Sequence, residues 1–307
     1  MKLIIQPDDG IKPLLKAVRS AKNTIDLVVF RFDRTELEKA LIAAVARGVI
    51  VRVLIAQKNG GGEKQLRAFE QRLLEGGATI TRTADDLPRY HGKMTIIDGA
   101  LYVLAFNYTR QDIERSRSFG LITRDPKLVK EATHLFEADS TRQDYTPVDK
   151  RLVVSPETSR ARLTEFIGKA KKELLIYDSR IQDKLMLRLL RDRLEAGVEI
   201  RVIGRIDKTI SGVPTCRPQD LRLHARAIVR DGNAVFLGSQ SLRKSELDLR
   251  REIGMMVSDS RIAAKVKRVF EEDWGNAKDK AREAPPAKGK AKQKEATPLR
   301  LATAAAG

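Results

Sequence analysis

Residues 91–99 read HGKMTIIDG, and residues 224–232 read HARAIVRDG. The chain of 307 residues has three histidines, and two of them open this nine-residue phrase. In each copy a basic residue follows two places later, and Asp-Gly follows seven and eight places later. The apolar residues between, MTII and AIV, read as short strands, which puts each histidine at a strand's leading edge. Side chains alternate along an extended chain, so His91 shares a face with Lys93, and His224 with Arg226. Asp98 and Asp231 lie an odd number of residues away and face the other way along a straight strand.

The flanking sequence repeats as well. IIQP, an amphipathic stretch, Ala-Lys and an apolar run near the start match VVSP, a similar stretch, Ala-Lys and an apolar run 149 residues later. Pro7 then pairs with Pro156, Gly48 with Gly197 and Arg52 with Arg201. At the histidines the offset falls to 133, so the first copy carries 16 additional residues, among them NGGGEK and a helix-like KQLRAFEQRLL. Those glycines lack the GK[ST] of a phosphate loop and read as a flexible loop or hinge. After the histidines the offset settles at 134, where Gly120 matches Gly254 and FEAD at 136–139 matches FEED at 270–273. The one-residue change implies a deletion in the first copy between Gly99 and Leu104.

A tandem duplication with strands and helices alternating in each copy predicts two similar α/β lobes. Each lobe is expected to hold a mostly parallel mixed sheet flanked by helices, over residues 1–146 and 147–277. Residues 278–307 are rich in Lys, Ala and Pro with few large apolar side chains, and read as a disordered basic tail. Arg52 and Arg201 are expected on strand faces, in salt bridges. His134 aligns with Arg268, so it is left out of the site.

The net charge of +18 favours polyanionic partners: a phospholipid surface, nucleic acid or phosphorylated small molecules. A single cysteine, Cys216, excludes an internal disulfide framework and a cysteine-based zinc cluster. No apolar run reaches the ~20 residues of a membrane span, and the first residues lack the long apolar core of a signal peptide. These features point to a cytoplasmic protein, peripheral at a membrane where it meets one.

The pattern H-x-[KR]-x4-D in two copies, followed in the second by Gly238-Ser239 and by Glu252-x-Gly254, resembles the phospholipase D superfamily. The resemblance implies two lobes around a pseudo-twofold axis, both histidines in one central cleft, and phosphodiester chemistry with no metal and no cofactor. His91 is expected as nucleophile and His224 as general acid, because the first copy retains the complete H-x-K-x4-D set. Lys93, Arg226, Asn107 and Ser239 would hold the phosphate oxygens, and Asp98, Asp231 and Glu252 would orient the histidines. A site completed within one chain is compatible with a monomer. The residue types suit the chemistry: cations receive charge growing on the oxygens, one imidazole attacks phosphorus, and a second protonates the leaving oxygen.

The chain departs from the family pattern in four places. Arg226 stands for the usual lysine, Ser241 for asparagine, Leu104 to Phe106 for Gly-Ser-x, and Ser118 for the glutamate. The favoured reading is hydrolysis or transfer of phosphatidyl groups through a phosphohistidine, which resembles the chemistry of cardiolipin synthases. A nuclease or DNA-end-processing phosphodiesterase is the alternative within enzymes. Its weakness is that aromatics make up 5% of residues, few for base stacking. A non-catalytic polyanion-binding protein with a decayed site is the alternative outside them.

Overall fold

The computed structural model describes residues 1–59, 62–218 and 220–283, with side chains as far as 277. The first lobe runs β1 (Lys2–Gln6), α1 (Lys12–Ser20), β2 (Thr24–Val29), α2 (Thr35–Ala46), β3 (Ile50–Ile55), α3 (Glu63–Glu75) and β4 (Thr79–Arg82). It continues with β5 (Met94–Ile97), β6 (Ala100–Leu104), α4 (Arg110–Glu114), β7 (Ser116–Thr123) and α5 (Pro126–Thr141). The second runs β8 (Leu152–Val154), α6 (Ser159–Gly168), β9 (Glu173–Ile181), α7 (Lys184–Glu195), β10 (Glu199–Ile206), β11 (Thr215–Cys216) and β12 (Arg222–Leu223). It ends with β13 (Ala227–Arg230), β14 (Ala234–Gly238), α8 (Lys244–Asp248), β15 (Ile253–Val257) and α9 (Ser260–Glu283).

The strand orders are β1-β7-β6-β5-β2-β3-β4 and β8-β15-β14-β13-β9-β10-β11, the same order in both lobes. Two α/β lobes with mixed sheets therefore form as expected, but the sheets are not mostly parallel. Within these orders only β2–β3–β4 and β9–β10–β11 run parallel, β12 adds one parallel pairing to β7 of the first sheet, and the other four pairings of each sheet are antiparallel. The reason lies in the motif: its Asp-Gly is a hairpin turn, which forces the following strand back alongside. Asp98 and Gly99 have φ of 44° and 70°, and Asp231 and Gly232 have 50° and 65°. Ile97 pairs with Ala100 across two residues, whereas Arg230 pairs with Ala234 across three. The extra turn residue, Asn233, accounts for the one-residue change of offset.

Alternation along the strands divides the apolar side chains between three cores. Ile25, Leu27 and Val29 of β2 face α1 and α2, while Leu174 and Ile176 of β9 face α6 and α7. Their inward neighbours, Val28 and Phe30 with Leu175 and Tyr177, join a central core between the two sheets. Helices α5 and α9 contribute Leu128, Ala132, Leu135 and Phe136, and Val266, Val269, Phe270 and Trp274, to that same core. The i, i+4, i+7, i+8 spacing on α5 makes one apolar stripe. Asp125 caps the helix by accepting from Lys127 N and Leu128 N, with Pro126 in its first turn. Arg52 bonds Asp26 and Glu137 and lies over Phe136, and Arg201 bonds Glu199 and Glu271 and lies over Phe270. Both are the strand-face ion pairs expected.

The helix-like part of the 16 additional residues forms α3, as expected. In the second lobe β10 reaches β11 through residues 207–214 without a helix. Helix α9 continues to Glu283, six residues into the stretch read as a disordered tail, and 284–307 lie outside the described residues.

The lobes are joined by a reciprocal exchange. The His91 amide donates to Arg251 O (2.7 Å), and the His224 amide donates to Arg117 O (3.2 Å). Arg117 and Arg251 are repeat equivalents, 134 residues apart. Each guanidinium bonds the aspartate of the other lobe's FEAD/FEED segment: Arg117 to Asp273 (2.8 Å) and Arg251 to Asp139 (2.9 Å). All four side chains are nine-tenths or more buried. Removing one member of such a pair strands the other without water, a cost of about 3–5 kcal/mol. Arg251→Met should therefore lower the urea midpoint by that equivalent. A loss under about 1 kcal/mol would show that the lobes are held by other contacts.

Candidate active site

An open cleft of ≈ 410 Å³ lies between the lobes, and both motif histidines line it. Its walls include Phe30, Asn59, Arg89, Asn107, Asp112 and the pair Arg222 and Arg226. Helix α3 closes one side through Gly62 and Gln65. Asn59 fixes the start of that helix: its side chain donates to Phe30 O (3.2 Å) and accepts from Gly62 N (2.8 Å).

His91 Nδ1 sits 2.8 Å from Glu252 Oε2, a carboxylate supplied by the other lobe. Phe30 meets the imidazole edge to face at 4.7 Å. Burial, then Lys93 and Arg226, hold the His91 pKa well below that of an ordinary histidine. The ring is neutral at neutral pH, and with the Glu252 carboxylate as acceptor its proton sits on Nδ1. That tautomer leaves a lone pair on Nε2. Burial raises Glu252 in turn, against the pull of Lys93 and Ser239.

His224 is arranged in mirror fashion. Its Nδ1 lies 3.2 Å from Asp112 Oδ2, at ion-pair distance but without hydrogen-bond geometry, and Asp112 belongs to the first lobe. Burial pushes Asp112 up, but His224, the Asn107 donors and Arg222 outweigh it and hold the carboxyl below its ordinary range. Asn107 donates its amide N and Nδ2 to Asp112 Oδ2 (2.9 and 2.7 Å), and Arg222 bonds Oδ1 (2.6 Å). Burial lowers His224 well below an ordinary histidine; Asp112 opposes this, and Arg226 and Lys93 reinforce it.

Asp112 lies outside the repeated phrase, and the position of the first copy that aligns with Glu252 holds Ser118. Ser118 Oγ only bonds His224 O (3.3 Å). The signal for Asp112 was its offset of 134 to Glu246, another buried acid on a short helix.

Three sequence expectations change. Asp98 and Asp231 do not orient the histidines. Asp98 accepts from the backbone N–H groups of Lys22, Asn23 and Thr24, and Asp231 from Lys171, Lys172 and Glu173. The left-handed turn aims each carboxylate at the start of the neighbouring strand, away from the cleft. Ser239 is fully buried and trades hydrogen bonds with the Ile253 backbone, so it braces the strand carrying Glu252 instead of meeting phosphate. Lys93 is also fully buried, its Nζ on His91 O (2.6 Å) and 5.5 Å from the Phe30 ring centre, behind the histidine. Arg226 lines the cleft, with Nη1 at 3.3 Å from His224 O and Nε unpaired.

Asp98→Ala should destabilise the fold by about 1–3 kcal/mol by orphaning three amides, while the folded protein keeps its cleft. The bonds hold Asp98 below its ordinary pKa, opposing the effect of burial. Its stabilisation is thus present above the ordinary carboxylate range and is lost as pH falls through its folded value. Thermal melts from pH 3 to 7 should show the wild-type advantage over Asp98→Ala shrinking toward acid; a constant difference would contradict the clamp.

Burial pushes Lys93 down to about 7, against the attraction of Glu252. Between that value and the ordinary lysine range the unfolded chain binds more protons than the folded one, so stability rises with pH across this window. Lys93→Met should remove this rise. Denaturation midpoints at pH 7 and 9 that move alike in both proteins would refute a depressed lysine.

The comparisons with known proteins agree with this geometry. The family described as "Cardiolipin synthase, PLD-like domain" matches residues 14–140 and 204–274. Cardiolipin synthase 1 of Bacillus cereus is 25% identical over 89% of this chain and 66% of its own length. Mitochondrial cardiolipin hydrolase of Mus musculus is 27% identical over 47% of this chain and 66% of its own. The chain thus spans just under two thirds of these relatives. In structure it is similar to polyphosphate kinase from Porphyromonas gingivalis, with a TM-score of 0.74 and 20% identity over 89% of this chain and 50% of that one. Among the described residues no helix is long and apolar enough to cross a membrane, and no group of three or more His, Cys, Asp or Glu could hold a metal ion. The repeated motif, the common strand order and the matched residues together make this chain a member of the phospholipase D superfamily, with the cardiolipin synthase type of domain.

Proposed function

We propose that the two lobes, residues 1–146 and 147–277, form a phosphodiesterase that hydrolyses or transfers phosphatidyl groups of phospholipids through a phosphohistidine on His91. The observation that carries the reading is the exchange of carboxylates: each cleft histidine faces an acid from the opposite lobe. His91 is the better nucleophile of the two because its hydrogen bond to Glu252 is short and aligned. In the first step Nε2 of His91 bonds to phosphorus, the P–O bond to the leaving alcohol breaks, and that oxygen takes a proton from His224. In the second, water or an acceptor alcohol gives its proton to His224 and displaces His91 from phosphorus. Lys93 and Arg226 hold the field that receives the phosphoryl charge. Substrate phosphate offsets these same two cations, which depress His224, so binding raises the affinity of His224 for the proton it must donate. Asn107 fixes Asp112, and Asp112 positions His224.

Cations fill the role a metal would otherwise take, so the reaction is expected to proceed in EDTA. A phospholipid is preferred over nucleic acid because the Bacillus and mouse relatives carry names of cardiolipin enzymes. A net charge of +18 favours an anionic membrane surface.

His91→Ala and His224→Ala test the roles. On phosphatidylglycerol vesicles either change should lower turnover about 10²–10⁴-fold or more. A bis-nitrophenyl phosphate needs little leaving-group protonation, so it should restore His224→Ala far more than His91→Ala. The reverse rescue would exchange the roles. Near-wild-type turnover by both variants would end the catalytic reading, and turnover of single-stranded DNA alone would redirect the substrate.

A further inference from the structure

The pseudo-twofold symmetry of the cleft is broken at one cation. Arg89 and Arg222 are repeat equivalents, each two residues before its histidine and 133 apart. Arg222 is neutralised by Asp112 at 2.6 Å. The equivalent acid for Arg89 is Glu246, but that carboxylate is taken up by the Ser241 amide (2.7 Å), by Arg243 and by Arg250 (3.3 Å). Among the described residues the Arg89 guanidinium has neither a hydrogen bond nor an ion pair. It lies over the face of Phe30, 5.5 Å from the ring centre.

The surroundings reinforce this surplus. Arg31 and Lys93 lie over the same ring, each at 5.5 Å. The repeat equivalent of Phe30, at an offset of 149, is Ser179, so the second lobe has no such platform. Arg89 is half-buried in the cleft wall, and burial, Arg250 and Arg31 lower its pKa, outweighing the attraction of Glu252 and Glu246. A guanidinium kept from full hydration and with no acid bonded to it is destabilised until an anion reaches it. The reacting phosphodiester carries one negative charge, and the proposed function already sets Lys93 and Arg226 against it. Arg89 is left over.

We propose that Arg89, on its Phe30 platform, forms a second anion subsite beside the reacting phosphate, so that favoured lipid substrates carry a second phosphate. The inference rests on the proposed function for the identity of the first phosphate. It makes Arg89 a specificity-determining residue and Arg222 a structural one, although the repeat makes them equivalent.

Calorimetric titration of the full chain with inorganic pyrophosphate and with orthophosphate tests the subsite without relying on turnover. The wild type should bind pyrophosphate at least about tenfold more tightly, a difference of about 1.4 kcal/mol. Arg89→Gln should erase that preference, and Arg89→Lys should keep most of it, since a point charge suffices for a single phosphate. Equal binding of the two anions by the wild type, or an intact preference in Arg89→Gln, would overturn the proposal. So would a parallel loss of orthophosphate binding, which would assign Arg89 to the reacting phosphate.

Vesicles of diphosphatidylglycerol and of phosphatidylglycerol then read the substrate. The ratio of their kcat/KM values should fall about tenfold in Arg89→Gln. An Arg89-dependent preference seen only with single-stranded oligonucleotides would overturn the lipid assignment. If no phosphodiester is turned over while the pyrophosphate preference holds, the proposed function fails and the subsite stands.

Discussion

The structure depends on the exchange at Arg117 and Arg251. In each residue the carbonyl accepts the amide of the opposing lobe's motif histidine, and the guanidinium pairs with the opposing lobe's aspartate. One residue thus fixes both the backbone position of a histidine and the packing of the helix that carries Asp139 or Asp273. A buried arginine with unmatched acids is costly, so lobe docking and site geometry cannot be separated. The same backbone register brings Glu252, the residue after Arg251, onto His91.

From that constraint follows the arrangement of acids. The glutamate following Arg251 has no equivalent after Arg117, where Ser118 stands. The first lobe meets the need from a different element, the short helix α4, whose Asp112 is held by Asn107 and Arg222. Two sites that began alike now reach the same contact, a carboxylate at Nδ1, by different routes. The asymmetry has a consequence for charge: with Asp112 bonded to Arg222, and Glu246 to Arg243 and Arg250, Arg89 is left without a bonded acid. Helix α3, present only in the first copy, deepens the cleft on that side.

The turn residues show how a motif can be read correctly and its members misassigned. Asp98 and Asp231 belong to the repeated phrase, yet their place is set by a left-handed turn that points each carboxylate at three backbone amides. Their recurrence reflects the hairpin that presents the histidine strand. The same hairpin explains why the sheets are mainly antiparallel: each motif strand must return at once through β6 or β14.

The sequence alone determined the duplication, the α/β lobes, the pair of motif histidines and their associated cations, because these rest on local spacing and alternation that survive without tertiary contacts. Its periodicity also placed Arg52 and Arg201 on strand faces. Only the tertiary structure decided which carboxylate meets which histidine, since Glu252 lies 161 residues from His91 in the chain and Asp112 lies 112 from His224. Partners that far apart are chosen by lobe docking. No periodicity within either copy encodes them, and the charge left on Arg89 appears only after every nearby acid has been matched to its partner.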